Sequence, residues 1–231
     1  MKLTWLGHAA YRLEVGAAVI LIDPFLTGNS SFEGDVDAVS EGCTHVVLSH
    51  GHMDHVGDTE AICNKTGAQL VSNYEIYEWM SAKGIENVNP GNPGGTLNCG
   101  DFSVTLTHAN HSSAVIENGV PIYLGAACGL VFEGDFPTLY HMGDTNMFSD
   151  MALIHEFHQP KIGIVPVGDR FTMGGRQAAI ACQRYFEFET IIPCHYGTFP
   201  VIDQTPDKFI DALGDDASKV TVMEVGTALT L

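Results

Sequence analysis

The sequence predicts one α/β domain built as a four-layer αβ/βα sandwich, in which helices cover two central β-sheets. Three observations favour this class. Short apolar runs separated by turn residues open the chain, strand-like and helix-like segments alternate in its second half, and 231 residues suit one large domain with a real core. We therefore expect residues 1–231 to fold as a single domain.

The first third of the chain is expected to contain five strands, two helices and one loop. Strands are predicted at Lys2–Leu6, Tyr11–Val15, Ala18–Ile22, Thr44–Ser49 and Gln69–Ser72. Helices are predicted at Asp54–Lys65 and Tyr74–Lys83. Thr27–Gly42 is rich in Gly, Asn, Ser and Asp and is expected to be a loop beside the pocket.

The remaining elements follow a turn-dense connector, Asn89–Gly95, which is too short to be a flexible interdomain linker. Strands are predicted at Asp101–Thr107, Ile122–Leu124, Gly129–Phe132, Thr138–His141, Ile162–Val167 and Thr190–Pro193, with a pair of β runs after Lys219. Helices are predicted at Met147–His158, Gly175–Phe186 and Pro206–Leu213.

The composition excludes several kinds of partner. The 28 acidic and 10 basic residues give a formal net charge of −18, which repels nucleic acid and anionic membranes. No apolar run reaches the roughly 18 residues of a membrane-spanning helix. The first residues lack the pattern of a signal peptide. We therefore expect a cytoplasmic protein, and its oligomeric state stays open.

Six cysteines are scattered through the chain without a CxxC pair, which favours reduced, buried thiols over a disulfide framework or a zinc ribbon. Cys194 precedes His195 on a predicted strand, where alternation turns its side chain away from that histidine. We expect Cys194 to be a buried strand residue.

The segment SHGHMDHVG at residues 49–57 is the most specific feature of the sequence. His50, His52, Asp54 and His55 follow a predicted buried strand, which presents them at its C-terminal end. Four ligand-type residues so close together are difficult to explain by packing, and two ligand pairs suggest two metal ions. The pattern HxHxDH resembles the signature of the metallo-β-lactamase fold.

Three weaker features complete the predicted ligand set. His111 lies in a polar turn after a strand, Asp144 ends a strand within Gly-Asp-Thr, and His195 ends another strand. Asp144 can bridge two cations because both carboxylate oxygens accept. The predicted ligands are His50, His52, His111 and Asp144 for one metal, and Asp54, His55, Asp144 and His195 for the other.

The choice of His111 over His108 rests on alternation. His108 shares the parity of the apolar residues Phe102, Val104 and Leu106, which predicts a histidine packed at the strand end. His111 lies beyond the strand in a turn, from which an imidazole can leave the sheet plane. The family pattern also places its ligand immediately before paired serines.

Nearly the whole chain resembles the metallo-β-lactamase superfamily, and within it a compact branch of uncharacterised metal-dependent hydrolases related to ascorbate 6-phosphate lactonase. Beyond the ligands, the resemblance is carried by Gly7–Ala9, Leu21–Phe25, Gly143–Thr145, Pro166–Gly174 and His195–Pro200. It implies this fold and hydrolytic chemistry, and it supplies no substrate.

The predicted reaction is hydrolysis of a small ester, lactone or phosphoester, neutral or anionic. Two divalent ions about 3.5–4 Å apart would share a bridging hydroxide as nucleophile, with Asp54 and Asp144 as the catalytic carboxylates. Candidates for the pocket wall are Asp169, Arg170, Thr172 and Tyr196. Arg170 is either an anion clamp or half of a structural salt bridge.

Zinc is the preferred metal, with manganese, iron and nickel as alternatives for imidazole and carboxylate ligands. Iron would favour a rival function, a dioxygenase or redox enzyme, and a noncatalytic metal-binding module is the third alternative. Asp23 either supports a metal-binding histidine or forms a turn with its own backbone. His8 either lies beside the site or is a structural or exposed loop residue.

Overall fold

The computed structural model describes residues 1–231, and its strands form two sheets and a separate hairpin. The first sheet contains β1 (Lys2–Trp5), β2 (Tyr11–Val15), β3 (Ala18–Ile22), β4 (His45–Val47), β5 (Gln69–Asn73), β6 (Val88–Gly91) and β15 (Ala228–Thr230). The second contains β7 (Thr96–Asn98), β8 (Phe102–His108), β11 (Cys128–Gly134), β12 (Phe136–His141), β13 (Ile162–Pro166) and β14 (Thr190–Cys194). The hairpin pairs β9 (Ala114–Glu117) with β10 (Val120–Tyr123).

Helices cover the outer faces of both sheets. Those beside the first sheet are α1 (Val36–Ser40), α2 (Met53–Val56), α3 (Thr59–Thr66) and α4 (Tyr74–Ser81). Those beside the second sheet are α5 (Met151–His158), α6 (Gly175–Tyr185) and α7 (Asp207–Leu213), followed by a 3-10 turn at Gly214–Lys219. The predicted four-layer αβ/βα sandwich is confirmed. By length and hydropathy, none of the helices could span a lipid bilayer.

The residues of β3 show how alternation builds the layers. Ile20 and Ile22 are fully buried in the large core between the sheets, whereas Leu21 packs in the smaller core beneath the outer helices. Both faces of this strand are therefore apolar, as expected for a sheet covered on both sides.

The topology brings the polar strand ends of both sheets to one edge. β3, β4, β5 and β6 run parallel, and so do β12, β13 and β14. Ligand-type residues that follow β4, β12 and β14 consequently converge where the two sheets meet. Direct bonds hold this edge together: the backbone N–H of His195 donates to the carbonyl of His8 over 3.0 Å, and that of Cys128 donates to the carbonyl of Ser49 over 2.9 Å.

The prediction of one continuous helix at Asp54–Lys65 is wrong, because the chain forms two separate helices, α2 and α3, with a break at Gly57. A Cβ atom at Gly57 would lie 2.5 Å from the Cα of Phe25 and 2.5 Å from the carbonyl oxygen of Pro24. The backbone also turns to φ 37° there, which breaks the helical path. The break lets the Asp23–Phe25 turn lie directly against the ligand helix.

Five further elements differ from the prediction. The loop at Thr27–Gly42 contains the short helix α1, and part of the Asn89–Gly95 connector pairs with β5 as the parallel edge strand β6. The strands β7 and β9 were not predicted. Only one strand, β15, follows Lys219, since Val220 forms no more than an isolated bridge with Ile191.

Candidate metal centre

The motif residues leave the first sheet at the end of β4 and enter α2. His50 and His52 precede the helix in extended backbone, and Asp54 and His55 lie in its first turn. Gly51 lies between the two histidines, where a Cβ atom would come within 2.6 Å of the Leu124 side chain. This close approach explains why a residue without a side chain stands inside the motif.

One group of ligand-type residues consists of His50, His52 and His111. Nε2 of His50 lies 3.0 Å from Nδ1 of His52, and Nε2 of His111 lies 3.3 Å from that same Nδ1. Nitrogen atoms bound tetrahedrally to one zinc ion at about 2.0–2.1 Å are separated by about 3.3 Å. These separations therefore fit three ligands of one ion.

His111, rather than His108, belongs to this group. His108 ends β8 as an exposed residue, and its ring lies edge-on to Phe148 at 5.0 Å. The expectation that His108 is packed is wrong, while the geometry supports the choice of His111 as the ligand.

A second group consists of His8, Asp54, His55 and His195, whose ligand-type atoms all lie within 4.8 Å of one another. His55 and His195 are buried, and the Asp54 side chain is 28% exposed. This exposure gives the group one open face, on the side of Asp54.

Asp144 lies between the two groups and is 2% exposed. Its Oδ2 atom is 3.1 Å from Nε2 of His195 and 3.3 Å from Nε2 of His55. The same oxygen is 3.6 Å from Nε2 of His111 and 3.9 Å from Nε2 of His50. One carboxylate oxygen thus faces imidazoles of both groups.

Buried atoms without hydrogen-bond partners show that this site suits cations. Nε2 of His55, Oδ1 of Asp144 and both ring nitrogens of His195 are buried and form no hydrogen bond. Such atoms are costly to bury unless another partner satisfies them. Imidazole nitrogens and carboxylate oxygens are ligands for zinc and related divalent ions, so the residues present fit bound metal.

Asp23 lies behind both groups, and its contacts favour the interpretation in which it supports a metal-binding histidine. Its Oδ2 atom accepts hydrogen bonds from Nδ1 of His55 over 2.8 Å and from Oγ of Ser49 over 2.5 Å. Ser49 in turn lies 3.0 Å from Nδ1 of His50. Asp23 therefore contacts one histidine directly and another through Ser49, as buried carboxylates commonly do at metal sites.

His8 supports Asp54 in a similar way. Its Nε2 atom lies 3.2 Å from Oδ2 of Asp54, and its Nδ1 atom lies 3.1 Å from Oγ1 of Thr198. Burial first, and then the charge of His195, lower the pKa of His8 to about 4. A neutral ring donates from Nε2 to the carboxylate and accepts at Nδ1 from the threonine hydroxyl.

Electrostatics distinguish the ligand-type residues. Burial is the main cause of the lowered pKa of His50, His52 and His111, and it keeps these imidazoles neutral. Burial also lowers the pKa of His55, but the charges of Asp144 and Asp23 outweigh it and raise the pKa above its ordinary value. The two carboxylates therefore favour a positive charge at this position, which a bound cation would supply.

The carboxylates of Asp144 and Asp54 are held ionised. Burial raises the pKa of Asp144, but the charges of His195 and His55 outweigh it and bring the pKa well below its ordinary value. Burial also raises the pKa of Asp54, but the hydrogen bond from His8 and the charge of His55 outweigh this effect and lower the pKa.

The predicted pocket wall differs from the structure. Tyr196 is 7% exposed and packs against Trp5 with ring centroids 5.3 Å apart, so it belongs to the core and we remove it from the wall. Asp169 and Arg170 are exposed, and Oδ1 of Asp169 accepts the backbone N–H of Arg170. The Arg170 guanidinium forms no salt bridge, and Thr172 is half-buried.

A cavity of about 510 Å³ lies beside Asp54, and none of the predicted wall residues lines it. Its lining includes Phe25, Met53 and Phe199, which sequence reasoning missed. The signal for the two phenylalanines is that they lie in Leu21–Phe25 and His195–Pro200, two of the segments that carry the family resemblance. Ser49, Ser112 and Thr198, which bond His50, His52 and His8, were also not predicted as site residues.

Imidazoles and carboxylates gathered at the edge of a four-layer sandwich are typical of metal-dependent enzymes with the metallo-β-lactamase fold. Residues 2–195 match the family described as "Beta-lactamase superfamily domain". The UPF0173 metal-dependent hydrolase of Methylocella silvestris is 57% identical over 227 residues, which cover 98% of each chain. The corresponding hydrolase of Agrobacterium fabrum is 57% identical over 234 residues, covering 100% of each chain.

A solved structure shows the same likeness. Igni18, a metallo hydrolase from Ignicoccus hospitalis, superposes with a TM-score of 0.88 at 33% identity, covering 100% of this chain and 97% of Igni18. The chain therefore belongs to the UPF0173 metal-dependent hydrolases of the metallo-β-lactamase superfamily. It is a metal-dependent hydrolase.

Proposed function

We propose that the protein holds two divalent metal ions and hydrolyses a small ester, lactone or phosphoester. His50, His52, His111 and Asp144 would hold one ion, and Asp54, His55, Asp144 and His195 would hold the other. The observation that carries the proposal is the position of Asp144, whose Oδ2 lies between 3.1 and 3.9 Å from imidazole nitrogens of both groups.

When bound, the metal ions would activate water as the nucleophile and polarise the carbonyl or phosphoryl oxygen of the substrate. Zinc is our first choice, because the separations among His50, His52 and His111 fit its usual bond lengths.

The protein's own contribution is to orient its ligands before the substrate arrives. The hydrogen bond to Asp23 keeps the proton of His55 on Nδ1, so that the Nε2 lone pair faces the site. The hydrogen bond from His8 fixes one oxygen of Asp54. Because His50, His55, Asp144 and His195 are buried, water and substrate reach the site from the side of His52, Asp54 and His111.

Metal analysis combined with a substrate panel tests the proposal. Protein purified from its native host should contain two metal equivalents per chain and should hydrolyse members of an ester, lactone and phosphodiester panel. Removal of metal by a chelator should abolish turnover, and zinc or manganese should restore it. One equivalent at full activity would contradict the dinuclear site, and oxygen consumption without hydrolysis would favour the redox alternative.

A further inference from the structure

The cavity beside Asp54 combines three apolar side chains with two carboxylates. Its lining residues are Phe25, Thr27, Met53, Asp54, Gly57, Asp58 and Phe199. Its volume of about 510 Å³ lies within the range of about 300–1,000 Å³ that is usual for small-molecule sites. Because Asp54 is one of the proposed ligands, the cavity borders the place where the reaction would occur.

The aromatic part of the cavity is held in place. Phe25 and Phe199 are both half-buried, and their rings stack with centroids 6.1 Å apart and an angle of 19° between planes. The buried His8 ring lies edge-to-face with both, with ring centroids 5.9 Å from Phe25 and 5.3 Å from Phe199. Met53 is 58% exposed and adds a flexible thioether at the rim. These residues offer contacts to alkyl or aryl groups.

The charges of the cavity disfavour an anionic substituent. No lysine or arginine lines it, and its two charged residues are carboxylates. The Asp58 carboxylate is already used, because it accepts hydrogen bonds from the backbone N–H groups of Leu26 and Thr27 and from the Thr27 hydroxyl. An anionic group would face the Asp58 carboxylate, whose charge no lysine or arginine of the lining offsets, and such a like-charge contact costs binding energy.

We propose that this cavity binds the uncharged alkyl or aryl part of the substrate, so that the enzyme prefers esters or lactones with a neutral apolar substituent. The inference rests on the proposed function, since it identifies the substrate class of the same site. The sequence allows neutral or anionic substrates, and this inference restricts them to neutral substrates with an apolar group.

Two esters that differ in one distant charge test this preference. Metal-loaded protein should hydrolyse 4-nitrophenyl phenylacetate with a kcat/KM at least about tenfold higher than that for the same ester bearing a para-carboxylate on the acyl ring. Phe199→Ala should lower kcat/KM for the neutral ester about tenfold, and Phe199→Leu should retain most of it. Equal kcat/KM values for the two esters would overturn the inference.

Met53→Lys should weaken the discrimination by placing a cation at the rim, shifting the ratio of the two kcat/KM values toward the carboxylate ester by about tenfold. Phe157→Lys is the matched control, because Phe157 is 73% exposed on α5 and does not line the cavity. An equal shift in the control would show that the effect is general surface charge.

Binding of a probe that is not hydrolysed separates this inference from the proposed function. Phenylacetamide binding to the metal-loaded protein can be followed by ligand-detected NMR. Binding that weakens about tenfold in Phe199→Ala supports the cavity even if no ester is turned over, which would contradict only the hydrolytic proposal. Affinity unchanged by Phe199→Ala would overturn the cavity assignment.

Discussion

The two groups of ligand-type residues differ in what lies behind them. In the group of His50, His52 and His111, the neighbouring side chains are hydroxyls: Ser49 bonds His50, and Ser112 lies 3.2 Å from Nε2 of His52. In the other group, the carboxylate of Asp23 contacts His55 directly, and His8 contacts Asp54.

Exposure separates the two groups less sharply than their supporting side chains do. In the first group His52 and His111 are half-buried and His50 is buried, whereas in the second group His55 and His195 are 0% and 1% exposed and the Asp54 side chain is 28% exposed. A charged hydrogen bond is stronger than a neutral one and is less screened when buried. Because Asp23 bonds the buried His55 directly, the Asp54–His55–His195 group is the more preorganised, and we expect it to bind its metal ion more tightly.

The largest effect is expected from the residue that the two groups share. Asp144→Ala should lower kcat/KM by more than about 100-fold and reduce bound metal below two equivalents, because both groups lose a ligand. Steady-state kinetics and metal analysis measure the two effects. Asp23→Ala is the comparison variant and should cost less activity. Equal losses in the two variants would show that Asp144 is not shared.

A smaller and more selective effect is expected at Asp23. Asp23→Asn keeps the shape of the side chain but weakens the charged bond to His55, so the tighter of the two metal affinities should fall about 10- to 100-fold. Competition with a chelating dye measures the two affinities separately. Asp101→Asn is a control, because Asp101 accepts the backbone N–H of Ala17 and bonds none of the ligand-type residues. If only the weaker affinity falls, the comparison of the two groups is reversed.

The smallest effect is expected at Ser112, which is exposed and bonds His52 alone. Ser112→Ala should lower the weaker metal affinity by less than about tenfold, since a single neutral hydrogen bond contributes about 0.5–1.5 kcal/mol. The same competition assay measures it. A loss as large as that of Asp23→Asn would mean that hydroxyls and carboxylates support the two groups equally.

Local patterns predict much of this molecule. The bounds of β2 and β3 are those that apolar alternation indicates, and the four layers follow from the order of strands and helices. The spacing of the motif His50–His55 predicts that its ligand-type side chains lie close together, because few residues separate them. Alternation also separates Cys194, which is buried in the core, from His195 at the site.

The features that the sequence does not predict depend on contacts between distant segments. The break at Gly57 follows from the backbone of Pro24 and Phe25 lying against it, and β6 is defined by pairing with β5. Phe25 and Phe199 stack only in the folded protein. Tyr196 shows the reverse error: it was predicted to line the pocket, whereas it packs against Trp5 in the large core.

The six cysteines, predicted to be buried and reduced, are all free and buried. Burial raises the pKa of Cys43 to about 11 and that of Cys182 to about 12, so neither forms the reactive thiolate at neutral pH in the closed protein. Cys43 lies in the core beneath the first sheet's helices, and Cys182 lies in the large core. A thiol reagent would therefore react only with molecules that have opened, and the labelled positions would report which layer opens first.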